Sequence, residues 1–141
     1  MNITSKGRYA LLVMLDLAQH ADEGFVSLKT VAERQDISMK YLEMIVSALK
    51  KASLVESSRG KDGGYRLGRE PGACSVGEIL RCLEDKLAPV SCIKDGEIHC
   101  DKAGGCVTLP MWRELDEITN RYLDGVSLQD LISGEKWKKK A

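Results

Sequence analysis

The pattern of apolar and polar positions along the chain predicts a mainly helical protein. Residues 8–21 are rich in helix-forming residues and apolar on most sides, as expected for a central helix. Ser27 and Ser38 then precede two further helical segments, where a serine side chain can cap the first free N–H groups. The second segment extends to about residue 51 and has one apolar stripe. That stripe consists of Leu42, Ile45, Val46 and Leu49.

A hairpin with glycines at its tip is predicted after the second capped helix. Residues 54–59 and 65–67 are expected to form two short strands, with Gly60, Gly63 and Gly64 between them. Glycine adopts the positive φ angles that a hairpin tip requires. Two helices joined by a tight turn and followed by such a hairpin make a winged helix-turn-helix, which binds DNA. From the pattern alone, a small α+β domain with a solvated polar helix face is the alternative.

The second half of the chain is predicted to contain a long loop and a long helix. Ser75 caps a short helix, and the loop that follows contains three cysteines, which suggests a functional segment. Residues 109–123 have a helical apolar pattern, and Ser127 caps a last short helix. We divide the chain into a winged helix-turn-helix (1–85), a cysteine loop (86–107), the long helix with the short C-terminal helix (108–135) and a frayed basic tail (136–141).

Charge and hydropathy limit the class of protein. The net charge of the 141 residues is zero, so the chain as a whole gives no argument for nucleic acid. Residues 40–69 contain seven basic and three acidic residues, a local charge of +4 that suits phosphate contacts or a solvated surface. No apolar run is long enough to cross a membrane, and the N-terminus lacks the pattern of a signal peptide. We therefore expect a cytoplasmic protein without a membrane partner.

Several side chains of the capped helix and the hairpin suit DNA. Ser38 and Tyr41 can reach phosphates or bases, Lys40 suits a phosphate, and Glu43 can accept from a cytosine amino group. Arg59, beside the hairpin glycines, is placed to enter a narrow minor groove. The structural alternatives are that Glu43 pairs with a lysine of its own helix and that Tyr41 packs against the hairpin.

The cysteines suggest a metal site. An odd number, five, argues against a disulfide framework in a cytosolic chain. Cys92, Cys100 and Cys106 lie within one loop, with seven and then five residues between them. From the residues alone, an iron–sulfur cluster, zinc and unligated thiols remain open. Cys74 and Cys82 are expected to be packing residues, because small buried thiols behave as hydrophobes.

Three motifs closely resemble one regulator family. They are TSKGRYA at residues 4–10, SMKYLE at 38–43 and RGKDGGY at 59–65. The family is that of the IscR, NsrR and CymR winged-helix transcriptional regulators, and the likeness is closest to the IscR type and covers about residues 1–133. It implies a homodimer formed through the long helix, bound to a double-stranded DNA operator. The residues placed at the DNA interface are Ser38, Lys40, Tyr41, Glu43 and Arg59, with the wing glycines Gly60, Gly63 and Gly64.

The resemblance also implies a cofactor. IscR-like and NsrR-like members use three cysteines in this region as iron–sulfur ligands, which makes Cys92, Cys100 and Cys106 the expected ligands and [2Fe–2S] the favoured centre over [4Fe–4S]. The cysteine triad argues against the CymR-like branch, which works without a cluster. Two features depart from the family pattern. The first cysteine spacing is longer than the expected five residues, and Leu109 replaces a ligating histidine.

No replacement for that fourth ligand is evident. The acidic position near the N-terminus of some NsrR-like members corresponds here to Arg8, and His99 directly adjoins Cys100. We expect a non-enzymatic, cluster-responsive regulator, usually a repressor, of iron–sulfur cluster biogenesis genes. The alternatives are a nitric-oxide-sensing NsrR-like repressor and a redox or electron-carrier protein. The carrier is disfavoured because the chain has neither a CxxC pair nor a dinucleotide-binding glycine fingerprint.

Overall fold

The computed structural model of the chain describes residues 2–85 and 87–138 and has a mainly helical architecture with two small hairpins. The helices are α1 (Ser5–Gln19), α2 (Leu28–Gln35), α3 (Met39–Lys51), α4 (Val76–Leu83), α5 (Leu109–Asp124), α6 (Leu128–Ser133) and α7 (Glu135–Lys138). The strands are β1 (Val55–Ser58), β2 (Gly64–Leu67), β3 (Ile93–Lys94) and β4 (Glu97–Ile98). The predicted fold class, mainly α with a hairpin wing and a long additional helix, is confirmed.

The four predicted serine caps explain where α2, α3, α4 and α6 begin. Ser27, Ser38, Ser75 and Ser127 each have extended backbone, and each side chain accepts a hydrogen bond from the backbone N–H three residues later. Between α2 and α3, Asp36 adopts the left-handed conformation (φ 53°) that ends α2 and allows the tight turn. The helix-turn-helix therefore follows from local sequence signals.

The core surrounds α1. Val13, Met14 and Leu17 of α1 are fully or almost fully buried, and α1 packs against α3 and α4. The predicted apolar stripe of α3 is the face that enters this core. Its members Leu42, Ile45, Val46 and Leu49 are at most 1% exposed. Burial of this one face leaves the opposite side of α3 in solvent.

The β1–β2 hairpin is the wing. Its strands pair antiparallel from Val55 with Leu67 to Ser58 with Gly64. Tyr65 of β2 also exchanges two backbone hydrogen bonds of 2.8 Å with Val26, the residue that leads into α2. The wing is therefore tied to the segment before α2 as well as to α3, the two helices of the helix-turn-helix.

Three parts of the chain differ from the sequence predictions. Helix α1 begins at Ser5 rather than at residue 8, because the Glu84 side chain accepts hydrogen bonds from the backbone N and the hydroxyl of Thr4, both of 2.8 Å. The loop predicted at 86–107 contains the β3–β4 hairpin and a short 3₁₀ turn. The tail expected to be frayed at 136–141 is helical in its described part, because α7 covers Glu135–Lys138 and Trp137 packs against a small apolar cluster. Residues 139–141 lie outside the described residues.

Within the described ranges, the helices fall short of the length and apolar character that a membrane span requires.

Candidate nucleic-acid interface and cysteine loop

The solvent face of α3 presents most of the residues predicted to contact DNA. Ser38, Lys40 and Glu43 are exposed on the side away from the core. The Ser38 hydroxyl caps α3 by accepting from the Tyr41 backbone N–H, and Lys40 is exposed in the same first turn of the helix. A helix start with a cation beside it is suited to phosphate.

Tyr41 occupies a different environment from its neighbours. It is half-buried, and its ring meets the ring of Tyr9 on α1 edge to face, with centroids 5.7 Å apart and planes at 89°. Such edge-to-face contacts stabilise aromatic pairs. The tyrosine therefore packs against α1, where the sequence had suggested the hairpin as the alternative, while part of its side chain remains exposed.

The wing lies beside the C-terminal end of α3. The Lys50 ammonium donates a hydrogen bond of 2.6 Å to the Ser57 hydroxyl of β1. Arg59 is exposed at the end of β1, and Gly60 has φ 107°, a conformation that favours glycine. The Lys50–Ser57 hydrogen bond therefore holds β1, and with it the segment that contains Arg59, beside the C-terminal end of α3.

The two remaining wing glycines are needed for close backbone approaches. A Cβ on Gly63 would lie 2.3 Å from the Ser58 carbonyl oxygen, and one on Gly64 would lie 2.2 Å from the Val26 carbonyl oxygen. Both distances are far below van der Waals contact. Gly63 therefore shapes the hairpin tip, and Gly64 lets β2 approach the segment before α2.

A buried ion pair that sequence reasoning missed joins α1 to α2. The Asp16 carboxylate, 1% exposed, accepts hydrogen bonds from Arg34 Nε (3.0 Å), Arg34 Nη2 (2.7 Å) and Gln35 Nε2 (2.9 Å). The hydrogen bonds to Asp16 raise the pKa of the Arg34 guanidinium. At the end of α1, His20 Nδ1 lies 2.8 Å from the backbone carbonyl oxygen of the same Asp16. An acid within an otherwise apolar helix was the available sequence signal for this clamp.

The β3–β4 hairpin explains how the loop accommodates its long first cysteine spacing. Asp95 and Gly96 both have positive φ (52° and 81°), the conformation of a tight two-residue hairpin turn. The His99 backbone N–H then donates to the Cys92 carbonyl at 2.7 Å. The hairpin therefore brings the backbone of Cys92 opposite the residue next to Cys100, although seven residues separate the two cysteines.

The third cysteine lies at the entrance to α5. Cys106 Sγ lies 3.3 Å from the Thr108 hydroxyl. The pKa of the Cys106 thiol is lowered, mainly by this hydrogen bond. A 3₁₀ turn at Ala103–Gly105 joins Cys100 to Cys106. Leu109 follows as the first residue of α5, where it is buried and has no atom that can coordinate a metal.

The donor chemistry of the loop fits a thiophilic metal centre, but the loop is not closed around one. Cys92 and Cys106 are partly exposed, Cys100 is exposed, and all three are free thiols. In residues 2–85 and 87–138, no group of three or more His, Cys, Asp or Glu side chains is arranged to hold a metal ion. The three sulfur atoms therefore need a rearrangement of the loop before they can converge on one centre.

The other two cysteines pack in the fold, as predicted. Cys74 is fully buried, and Cys82 lies against the main core with its thiol 3.2 Å from the Glu78 carbonyl. Burial raises the pKa of both thiols. These properties describe inert, structural cysteines.

Helix α5 has an unpartnered apolar face. One stripe of four large side chains is between 41% and 55% exposed, which is unusual for a helix of a small protein. The opposite side of α5 lies against α4, where Arg81 donates to Asp124 (2.6 Å) and to Asn120 (2.8 Å). The members of the exposed stripe are Met111, Leu115, Ile118 and Tyr122.

Comparison with known proteins identifies the family. The family described as "Rrf2: Iron-dependent Transcriptional regulator" matches residues 3–134. This chain belongs to the Rrf2 family. It is 44% identical over 132 residues to the HTH-type transcriptional regulator IscR of Aliivibrio salmonicida, covering 94% of this chain and 77% of the relative. The IscR of Xenorhabdus nematophila is 40% identical over 136 residues, with 96% and 82% covered. The chain is accordingly a transcriptional regulator.

Solved structures of Rrf2-type regulators show the same fold. T. potens IscR is 39% identical, with a TM-score of 0.75 and coverage of 98% of this chain and 91% of that chain. CymR, the global cysteine regulator of B. subtilis, is also 39% identical, with a TM-score of 0.76 and coverage of 94% and 97%. These similarities confirm the predicted regulator family and the winged-helix fold.

Proposed function

We propose that this Rrf2 protein is a homodimeric repressor that binds duplex DNA and responds to an iron–sulfur cluster. Its targets would be genes of iron–sulfur cluster biogenesis, and it would act in the cytoplasm, where those genes are transcribed. The observation that carries the proposal is the exposed polar face of α3, with the wing and its exposed Arg59 bonded to the C-terminal end of the same helix. The similarity to proteins named IscR supports the iron–sulfur part of this proposal.

Each predicted DNA contact has a distinct task in this proposal. The start of α3, with Ser38 and Lys40, enters the major groove, and Glu43 faces base edges. Tyr41, held by Tyr9, contributes its ring edge to the backbone contact. Arg59 enters the minor groove, with Gly60, Gly63 and Gly64 allowing the wing tip to approach the backbone closely. Lysine contacts with phosphate should make the affinity strongly salt-dependent.

Dimerisation is proposed to occur through the apolar stripe of α5. Covering such a face with a second copy of the same helix is the simplest way to remove it from water, and closed twofold dimers are the commonest assemblies. Ile118→Glu is expected to yield a monomer in sedimentation analysis, because the two copies would each place a carboxylate in the interface. Glu117→Gln, on the solvent side of the same helix, is the matched control and should leave the dimer intact.

Cys92, Cys100 and Cys106 are the residues proposed to hold the cluster. A cluster bound by thiolates supplies an iron-dependent link between segments that are otherwise joined only by backbone turns. The β3–β4 hairpin pairs the backbones of Cys92 and His99, and Cys106 lies three residues before Leu109, the first residue of α5. A cluster on the three cysteines would therefore fix the rearranged loop relative to the long helix. A two-iron centre is favoured over a four-iron one.

The decisive experiment is anaerobic reconstitution with iron and sulfide. We expect visible charge-transfer bands with equal iron and sulfide per chain and little zinc. The Cys92/Cys100/Cys106→Ser variant should lose both metal and bands, whereas Cys74→Ser should keep them if it folds. The far-ultraviolet circular dichroism of the triple variant checks that the fold survives. Cluster content that is unchanged in the triple variant would refute the ligand assignment.

A further inference from the structure

Met44 is a large apolar residue at the centre of the solvent face of α3. Its side chain is 43% exposed. With about 3.6 residues per helical turn, Met44 lies nearly opposite Val46 and Leu49, which point into the core. A large part of this apolar side chain therefore remains in contact with water.

The exposed neighbours of Met44 on its own side of α3 are polar, and two of the three are lysines. Lys40 lies one turn before it, Ser47 and Lys51 follow on the same side, and all three are exposed. In the proposed DNA complex, this face of α3 would lie against base edges in the major groove. An apolar group within a basic face suits a surface that is apolar at one point and phosphate-rich around it.

We propose that Met44 reads the C5-methyl group of a thymine in the major groove. Thymine is the one ordinary base that presents a hydrophobic group there, whereas the other base edges offer only hydrogen-bond donors and acceptors. A flexible thioether fits such a contact because methionine adapts to irregular apolar surfaces. The inference deepens the proposed function and rests on it. It assigns one specificity-determining residue and one chemical group to the DNA complex.

A chemical substitution in the DNA isolates this contact. A binding duplex is first selected from a random pool with the reconstituted dimer, and each thymine is then replaced in turn by deoxyuridine, which removes only the methyl group. Affinities are measured by fluorescence anisotropy at one fixed salt concentration, because phosphate contacts depend on salt. Losing one buried methyl contact should weaken binding about fourfold. We expect this loss at one thymine of each half-site.

Three variants connect that loss to Met44. In Met44→Ala, binding to the normal duplex should weaken by a similar factor, and deoxyuridine at the critical thymine should have no further effect. Met44→Leu should keep the response to the methyl group. Met39→Ala is the matched control, because Met39 is equally exposed (41%) on the same helix but lies toward its flank, and this variant should also keep the response.

The outcomes separate this inference from the proposed function. If a duplex is selected but Met44→Ala retains the full deoxyuridine effect, or if no thymine methyl affects affinity, the assignment of Met44 is wrong and DNA binding stands. If no sequence is enriched from the pool, both the DNA-binding proposal and the assignment fail. Binding of the normal duplex that is unchanged in Met44→Ala would also overturn the assignment.

Discussion

The Asp16–Arg34 clamp should be one of the most costly polar contacts to break in the described structure. Arg34→Met removes two of the three donors to Asp16 and leaves a carboxylate that is 1% exposed with only Gln35 as a side-chain donor. Breaking a fully buried ion pair costs about 3–5 kcal/mol. The Arg34 side chain is 29% exposed, so solvent screens part of the interaction. We therefore expect a loss of about 2 kcal/mol in the free energy of unfolding.

Thermal unfolding of the metal-free protein measures this loss without a contribution from ligand binding. At roughly 4 °C per kcal/mol for a chain of this size, Tm should fall by about 8 °C. Arg69→Met is the matched control, because it breaks the Arg69–Glu78 pair (2.8 Å), whose side chains are 37% and 44% exposed. That control should cost about 0.5 kcal/mol, or about 2 °C in Tm.

A double variant separates the buried charge from the lost packing. Adding Asp16→Asn to Arg34→Met removes the unpaired carboxylate, so it should recover part of the lost stability although one more native group has been changed. Equal Tm values for Arg34→Met and Arg69→Met would show that the burial of Asp16 does not make its ion pair more costly to break than an exposed one. A double variant that is less stable than Arg34→Met alone would show that the unpaired charge of Asp16 is not what destabilises Arg34→Met.

Three further predictions concern the wing, a helix cap and the thiols. Gly64→Ala should destabilise the wing by about 2 kcal/mol or more, seen as a lower Tm and weaker DNA binding, because the new Cβ meets the Val26 carbonyl. A hydrogen bond from the Ser127 backbone lowers the pKa of the Asp130 carboxyl, so its stabilising effect is present above the ordinary aspartate pKa and lost as pH falls through the depressed one; the Tm difference from Asp130→Asn should shrink across that range. In metal-free protein, iodoacetamide should label Cys100 long before Cys74, as followed by mass spectrometry; equal rates would contradict the burial of Cys74.

The helix-turn-helix could be predicted because its signals are local. The Ser38 side chain caps α3 within one turn, and the apolar stripe of α3 repeats at helical spacing. The positive φ angles of the wing are likewise favoured by the glycines that adopt them. Asp95-Gly96, between Ile93 and Ile98, is an equally local hairpin signal, and it would have located the β3–β4 turn within the predicted loop.

Contacts between distant residues could not be predicted in this way. Glu84 accepts from Thr4, 80 positions away, and this bond sets the start of α1. Asp16 meets Arg34 only because the turn after α1 brings α2 back across it, so periodicity alone gave no partner for the acid. The arrangement of the three cysteines in their loop is still harder to predict from sequence. Residue type and spacing suggest ligands, but their convergence depends on a loop conformation that no periodic pattern encodes.

The contacts between elements limit how the cysteine loop can influence DNA binding. The loop ends directly at α5, and Arg81 joins α5 to α4 through Asp124 and Asn120. Helix α4 packs on α1, and the Asp16 clamp joins α1 to α2. In the proposed dimer, a ligand on the loop would change DNA affinity only by stabilising one arrangement of the two copies more than another. Because these contacts tie each winged-helix unit together internally, the arrangement most open to change in that dimer would be the relative position of the two units across the α5 face. That position would set the spacing of the two α3 helices on DNA.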